Sequence, residues 1–219
     1  AGYAPTTVRD IFVSHQHIDH VGGLEPLLLW SVIRSLREQG TPPREETRIY
    51  ADSRVLAEIE RLFGAVATAV PRLFGDRLRL TPAADGGMVA LRSGARLTTF
   101  LVDHQPVGGG AMGCRLDLGG VRVVYSGDTR PVPGLIEAAT DADLLVHEAG
   151  GLDEHAGEVH RMGHSTAGDA GRAARAAGVG RLMLTHLPSD ALAEPMLAEA
   201  GAAFGGPVEL ACDLGLVEL

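Results

Sequence analysis

The chain has 219 residues, enough for one large domain or two small ones with a buried core. Its formal net charge of −9 and its 4% aromatic content argue against a nucleic-acid-binding face. All 19 basic residues are arginine, which excludes a Schiff-base lysine, a P-loop lysine and a lysine general base within this sequence. Two cysteines are too few for a disulfide scaffold or a cysteine-based zinc site.

Short apolar runs alternate with helical patterns, which predicts a mixed α/β fold. The predicted strands are 9–14, 48–51, 97–103, 121–125, 143–146 and 181–185. The predicted helices are 24–39, a helix capped by Asp52 or Ser53, 166–177 and 191–199. Gly40 is expected to end the first of these helices. Gly108–Gly110 is interpreted as a turn too short to separate domains, so a single domain over 1–219 is expected.

Imidazole and carboxylate groups follow the ends of five predicted strands. These groups are His15 and His17, His104, Asp128, His147 with Glu148, and His186. In α/β folds the carboxyl ends of strands form the edge where ligands and metals bind. Taken singly, a histidine or aspartate at such a position is more often a loop, turn or core residue. His155 and His160 lie in a polar stretch and are interpreted as having no ligand role.

The segment His15–His20 is harder to explain by packing or solvation. It reads HQHIDH and places four potential metal ligands within six residues, between a predicted strand and a Gly-Gly turn. Imidazole and carboxylate together suit Zn²⁺ and, less selectively, Fe or Mn. His15 and His17 share one direction by alternation, whereas Asp19 and His20 lie beyond the turn and are placed to address a second ion.

HQHIDH resembles the HxHxDH signature of the metallo-β-lactamase superfamily. The family's later groups follow in order, with His104, Asp128 in SGDT and His186 in LMLTHLP. The resemblance implies an α/β fold with a four-layer αββα sandwich and two divalent metal ions at one sheet edge. By this resemblance His15, His17 and His104 hold the first ion, and Asp19, His20 and His186 hold the second. Asp128 bridges them, and Zn²⁺ is expected, with Mn²⁺ or Fe²⁺ as alternatives.

Two further segments narrow the resemblance to ribonuclease Z-like members. LLVHEAG at 144–150 and MGHSTAGDAG at 162–171 are similar to that branch's HEA and HST motifs. The resemblance implies that His164 is a general acid, that Glu148 orients it and favours its protonated form, and that Asp19 orients the hydroxide held between the two cations. The same residues can also be explained by secondary structure alone, with Glu148 at a strand end and Ser165 or Thr166 as a helix N-cap.

The sequence departs from ribonuclease Z in three respects. His104 and Asp128 are only 24 positions apart, which leaves no room for that family's tRNA-binding arm. The segment after His186 lacks the family's Arg-Tyr pair, and the strands that precede HxHxDH in the family are absent. The first two departures disfavour tRNA processing. The third leads us to expect that the folded enzyme includes residues upstream of Ala1.

These observations predict a dinuclear metal-dependent hydrolase, with a phosphodiesterase favoured because His164 would protonate a poor leaving group. A lactone, thioester or sulfate-ester hydrolase is the alternative. A di-iron redox module is disfavoured because His17 stands where that branch has glutamate, and a non-catalytic binding protein is disfavoured by the complete ligand set. A tRNA 3′-endonuclease would need another subunit to clamp its substrate.

The expected partner is a small or nucleotide-like anionic substrate, and neither nucleic acid nor a membrane is expected. No apolar run reaches the roughly 18 residues that a membrane span requires. A homodimer remains open. A cytoplasmic location is expected, although the start at Ala1 rather than Met leaves a signal peptide untested.

Overall fold

The computed structural model describes residues 4–65, 69–104 and 109–219. Gly108 of the predicted turn therefore lies outside the described residues. The chain forms two compact units, which are described separately below. The first contains the described residues of 1–84 and 106–110, and the second contains those of 85–105 and 111–219.

The first unit is built on a parallel sheet of three strands, in the order β1-β2-β3. Its strands are β1 (Asp10–Phe12), β2 (Thr47–Ala51) and β3 (Leu78–Pro82). Its helices are α1 (Ile18–Val21), α2 (Leu24–Gln39), α3 (Ser53–Ala65) and α4 (Val70–Phe74), with 3₁₀ turns at Pro5–Thr7 and Gly75–Arg77. Apolar side chains from both sheet and helices, among them Ile49, Val55, Ile59 and Phe74, form one buried core.

Helix α2 has the predicted bounds. It ends at Gly40, whose left-handed φ of 69° allows its N–H to bond the Leu36 carbonyl. The strand predicted over 9–14 is shorter than expected, because pairing stops at Phe12. The Val13 N–H still bonds the Tyr50 carbonyl at 2.9 Å, but Ser14 already belongs to the segment that carries the histidines.

The second unit contains a seven-stranded sheet in the order β10-β9-β8-β7-β6-β5-β4. Its strands are β4 (Met88–Ala90), β5 (Arg96–Leu101), β6 (Met112–Leu118), β7 (Val121–Tyr125), β8 (Leu144–Glu148), β9 (Arg181–Thr185) and β10 (Val208–Leu210). Its helices are α5 (Pro133–Ala138), α6 (Ala156–Arg161), α7 (Ala167–Ala177) and α8 (Ala193–Phe204), with 3₁₀ turns at Asp153–His155 and Asp190–Leu192.

Strand direction brings several chain segments to one edge of this sheet. Strands β7, β8, β9 and β10 are parallel, so β7, β8 and β9 end at the same edge. Strand β6 is antiparallel to both β5 and β7, so β5 also ends there. The residues that follow these four strands therefore lie near one another, which is the usual position of a site in an α/β sheet.

Helix α7 packs by means of its small residues, as the sequence predicts. Ala167, Ala170, Gly171, Ala174 and Ala177 are all buried. A Cβ on Gly171 would come within 2.4 Å of the Ala200 carbonyl oxygen in α8, so this close helix contact requires glycine. Thr166 caps the helix: its hydroxyl accepts the Asp169 N–H, and the Asp169 carboxylate accepts the Thr166 N–H.

Three predicted elements of the second unit end at residues other than those predicted. Strand β8 extends to Glu148, so His147 and Glu148 lie within the strand rather than after it. Strand β5 ends at Leu101, two residues before the predicted end. Helix α8 runs to Phe204, and Pro195 is tolerated because it lies in the first turn, where its missing N–H has no intrahelical partner to lose.

Within the described ranges, every helix falls short of the length and apolarity that crossing a membrane would demand.

Candidate metal centre

The histidine-rich segment of the first unit follows β1 and enters α1. His15 is fully buried, and its Nε2 lies 2.9 Å from Nδ1 of His17. The two rings meet edge to face, with centroids 4.6 Å apart. Asp19 and His20 lie in α1, where the Asp19 Oδ2 is 3.4 Å from the His20 Nε2. Imidazole and carboxylate donors therefore lie close together within this one short segment.

Ser14 organises two of these rings and was missed by the sequence reasoning, which treated it as the last residue of a strand. Its Oγ lies 3.1 Å from Nδ1 of His15 and 3.2 Å from Nδ1 of His20. A hydroxyl at this position determines the orientation of both rings, because Nδ1 of each ring faces it. The available signal was a small hydroxyl residue directly before the first histidine.

In the second unit, a deeply buried carboxylate faces two imidazoles. Asp128 follows β7 and is 1% exposed. Its Oδ2 lies 3.6 Å from Nε2 of His186 and 4.0 Å from Nδ1 of His164. One donor atom from each of these three residues lies within 4.8 Å of the others. Both distances are longer than a hydrogen bond. They are nearer to the separation of ~3.3 Å between two ligand atoms that each lie ~2.0 Å from a tetrahedral Zn²⁺.

His104 follows β5 and has one nitrogen fixed by the backbone. Its Nδ1 lies 2.9 Å from the Gly163 carbonyl oxygen, which accepts hydrogen bonds only, so Nδ1 carries the proton. A histidine whose Nδ1 proton is held by a carbonyl carries its lone pair on Nε2, which is the arrangement typical of ligating histidines. Gly163 has a φ of 93°, and a Cβ there would lie 2.8 Å from Nδ1 of His104. Only glycine fits this position.

Glu148 ends β8 and joins three parts of the unit through a single oxygen. Its Oε1 accepts the backbone N–H of Thr129 at 2.9 Å and that of Ser165 at 3.2 Å. The same oxygen lies 3.1 Å from Nδ1 of His164. An ionised carboxylate only accepts hydrogen bonds, so His164 donates to it from Nδ1.

His186 has an unusual backbone conformation. It follows β9 with a φ of 56°, in the left-handed region that residues other than glycine seldom occupy. Such conformations persist where the surrounding structure enforces them, and they concentrate at functional sites. With this backbone conformation, the imidazole lies beside Asp128, with Nε2 3.6 Å from Oδ2.

Three other histidines of this unit lie outside the predicted set: His147, His155 and His160. His147 is buried in β8 and donates from Nδ1 to the Glu148 carbonyl at 2.7 Å. Its burial lowers the pKa of the imidazole and keeps it neutral. His160 Nε2 lies 2.6 Å from Asp169 Oδ2, so this ring supports the start of α7. The sequence analysis assigned His160 no ligand role.

The donor chemistry of both units suits divalent cations. The first unit offers imidazoles and one carboxylate in His15, His17, Asp19 and His20, and the second offers His104, Asp128 and His186. Nitrogen donors combined with carboxylate oxygens match the preference of Zn²⁺ and also accommodate Mn²⁺ or Fe²⁺. Carboxyl-end placement of the second group in its sheet agrees with a ligand site. The residues present therefore fit the metal that the motifs imply.

Comparison with known proteins settles the family. Residues 3–187 match the model of the β-lactamase superfamily domain. The chain belongs to this superfamily. It is similar to the probable metallo-hydrolase YhfI of Bacillus subtilis, with 29% identity over 96% of this chain and 79% of that protein. The YhfI crystal structure, a metallo-β-lactamase fold protein, superposes with a TM-score of 0.76 at 25% identity, covering 96% of this chain and 78% of that one.

A second solved structure supports the fold. Human tRNase Z, short form, matches with a TM-score of 0.74 and 21% identity, covering all of this chain and 82% of that one. The predicted α/β metallo-β-lactamase fold is thus confirmed. Membership of the family is also consistent with the predicted class of metal-dependent hydrolase.

Over shorter spans the chain is also similar to ribonuclease Z. The enzyme of that name from Myxococcus xanthus is 50% identical over 102 residues, which are 46% of this chain and 33% of that protein. The match spans about a third of the length of this curated relative. The ribonuclease Z-like resemblance is confirmed, and it conflicts in part with the expectation that nucleic acid is not a partner.

Proposed function

We propose that this protein is a phosphodiesterase that uses two divalent cations, with Zn²⁺ favoured. His15, His17 and His104 would hold one ion, and Asp19, His20 and His186 the other. Asp128 would be shared. The order of the motifs and membership of the superfamily support this assignment. Each unit also supplies donors of the required kind, with Asp128 nearly inaccessible to solvent.

When bound, such a cation pair binds an anionic oxygen of the substrate and supplies an activated water at neutral pH. Asp19 is exposed in α1, and its carboxylate would orient this water or accept its proton. Asp128 is 1% exposed and would serve as a ligand.

The observation that carries the proposal is the pair formed by Glu148 and His164. Glu148 is fully buried, and its carboxylate accepts the Nδ1 proton of His164 at 3.1 Å. A neighbouring negative charge favours the imidazolium, which holds a second proton on Nε2. His164 is thereby equipped to protonate a leaving alkoxide. This step matters most for poor leaving groups such as the alcohol of a phosphodiester.

The same pair discriminates between substrate classes. A lactone or an activated ester expels its leaving group with little help from an acid, so a dedicated imidazolium would add little to its hydrolysis. A phosphodiester needs both charge neutralisation and protonation of the departing oxygen. The geometry around His164 therefore favours the phosphodiester.

RNA is a second candidate substrate of this class, favoured by the similarity to ribonuclease Z. The net charge of −9 and the span of 24 positions between His104 and Asp128 count against an RNA clamp within these residues. We therefore place small or nucleotide-like diesters first and RNA second.

A substrate panel on the metal-loaded protein tests the proposal. It comprises bis(p-nitrophenyl) phosphate, a dinucleotide diester, a precursor tRNA, a lactone, a thioester and an aryl sulfate. Turnover of the diesters that is lost with a chelator and restored by Zn²⁺ is the expected result. His155→Ala is the control for histidine variants of the proposed site, because this exposed histidine lies in the same unit and outside that site. Turnover confined to lactone, thioester or sulfate would overturn the phosphodiesterase assignment.

A further inference from the structure

Arg130 follows the Asp128 turn and reaches two separate segments of the second unit. Its Nη1 lies 3.1 Å from Asp103 Oδ1, and its backbone N–H bonds the Asp103 carbonyl at 3.0 Å. Its Nε donates to the carbonyl of His160 and its Nη2 to that of Arg161 at 3.3 Å. One guanidinium therefore joins the end of β5 to the end of α6.

Each segment leads directly to a residue of the proposed site. Asp103 immediately precedes His104 in the chain. His160 and Arg161 end α6 and lead through a tight turn to Gly163, whose N–H bonds the His160 carbonyl at 3.0 Å. The Gly163 carbonyl in turn accepts the Nδ1 proton of His104 at 2.9 Å. Arg130 is therefore connected to the His104 imidazole in two ways, through the neighbouring Asp103 and through the turn that ends at Gly163.

The chemistry of the contacts suits arginine rather than another cation. The final carbonyls of a helix lack intrahelical partners, and a positive charge there is favourable. A guanidinium presents several donors in a fixed plane, so it can bind two carbonyls and a carboxylate at once. A lysine ammonium has one nitrogen and cannot span these three acceptors in the same way.

We propose that Arg130 is a positioning residue that fixes His104. By holding the turn that ends at Gly163, it keeps the Gly163 carbonyl aimed at Nδ1 and so presents Nε2 to the site. This inference rests on the proposed function, because it takes His104 as a metal ligand. Partners that orient a ligating histidine typically contribute 10- to 100-fold in metal affinity or activity.

A matched comparison is available within the same unit. Arg122 lies in β7 and, like Arg130, bonds a carboxylate and a backbone carbonyl, those of Asp117 and Thr140. The two side chains are equally accessible, at 31% for Arg130 and 33% for Arg122. Arg122 lies near the start of β7, away from the edge that carries Asp128. Removing the Arg122 side chain breaks similar contacts but none of those that connect Arg130 to His104.

The experiment compares Arg130→Ala and Arg122→Ala. In the metal-free proteins, long-range ¹H–¹⁵N spectra of the histidine rings report the tautomer of His104. We expect Nδ1 to carry the proton in the wild type and in Arg122→Ala, and the two tautomers to mix in Arg130→Ala. Competition with a chelator then measures Zn²⁺ affinity. We expect a loss of about 10- to 100-fold in Arg130→Ala and less than about 2-fold in Arg122→Ala.

Added methylguanidinium at millimolar concentration should restore both the His104 signal and part of the affinity of Arg130→Ala, because the side chain it replaces is partly exposed to solvent. It should change neither property in Arg122→Ala. If Arg130→Ala does not fold, Arg130→Met keeps the apolar stem and is used for the tautomer and affinity measurements.

A wild-type His104 spectrum and affinity in a folded Arg130 variant would overturn the inference, as would an equal loss in both arginine variants. If the phosphodiesterase proposal is wrong, the result differs. In that case the wild-type protein would hydrolyse no phosphodiester, while the His104 spectrum would still respond to Arg130.

Discussion

Glu148 Oε1 lies 3.1 Å from Nδ1 of His164, and that oxygen also accepts two backbone N–H groups. A single buried carboxylate therefore serves both the orientation of His164 and the folding of the loops that contain Thr129 and Ser165. These two roles predict different consequences for stability and for catalysis, and they can be measured separately.

Glu148→Ala should destabilise the second unit. The change leaves the N–H groups of Thr129 and Ser165 without their acceptor in a buried environment, and each such loss costs about 1–3 kcal/mol. We expect the free energy of unfolding to fall by about 2–5 kcal/mol in urea titrations. Glu154→Ala, at an exposed position, should change it by less than about 0.5 kcal/mol. Equal stability of the two variants would contradict this role of Glu148.

His164→Ala should lower turnover of an alkyl phosphodiester by about 10²- to 10⁴-fold, the usual contribution of a positioned general acid. The loss should be much smaller for bis(p-nitrophenyl) phosphate, because p-nitrophenolate leaves without protonation. Metal content should remain unchanged.

The metal content of that variant carries separate information. His164 lies within the same donor group as Asp128 and His186, so it is also close enough to act as a ligand. Loss of one ion in His164→Ala would show that it binds metal. An equal loss of rate on both leaving groups would point to substrate binding or structure.

Much of the second unit could be predicted because its signals are local. Strands β7 and β9 have the predicted bounds, and α7 differs only in that Thr166 is the cap rather than the first helical residue. Parallel β-strands carry their functional groups at one edge, so residues following separate strands could be assigned to one site before the structure was known. Distances of Asp128 from His164 and His186 agree with that reasoning.

Other features could not be read from the sequence. Strands β4 and β10 contain three residues each and are too short to leave a periodic pattern. The contacts of Arg130 depend on the meeting of Asp103 with the end of α6, which lie 57 and more positions apart along the chain. The tautomer of His104 depends on a carbonyl 59 positions away. Such partners are set by tertiary structure alone.

Asp169 should make the protein's stability depend on pH in the acid range. Burial raises the pKa of this carboxyl, but hydrogen bonds from His160, Arg172 and Thr166 outweigh burial and lower the pKa to about 2. Because the folded pKa lies below the ordinary value of 3.8, the stabilisation is complete above about pH 5 and is lost as pH falls from 4 towards 2. It amounts to about 2 kcal/mol.

Unfolding of wild type and Asp169→Asn across pH 2–7 measures this contribution. The difference between the two free energies of unfolding should be constant from pH 5 to 7 and shrink below pH 4. Arg172→Met removes one of the charged partners and should shift the decline to higher pH. A difference that does not depend on pH would contradict the assignment.

His186→Gly should separate the strain at this position from its proposed role as a ligand. Glycine relieves a left-handed conformation that costs other residues roughly 1–2 kcal/mol, offset by about 0.4–1 kcal/mol of greater freedom in the unfolded chain. We therefore expect the metal-free variant to unfold at the same or a higher urea concentration than wild type, while Zn²⁺ binding falls. Thr185→Gly, in the adjacent strand position, is the control and should be destabilising. Destabilisation of His186→Gly by more than 1 kcal/mol would rule out relief of strain.

We propose that a pair of divalent cations makes this protein a phosphodiesterase. It is tested most directly by titrating the metal-free protein with Zn²⁺ while following hydrolysis of bis(p-nitrophenyl) phosphate. We predict that the rate rises with added metal and stops rising at two equivalents per chain. A rate that saturates at one equivalent, or a protein that binds two equivalents and leaves the diester intact, would contradict the claim.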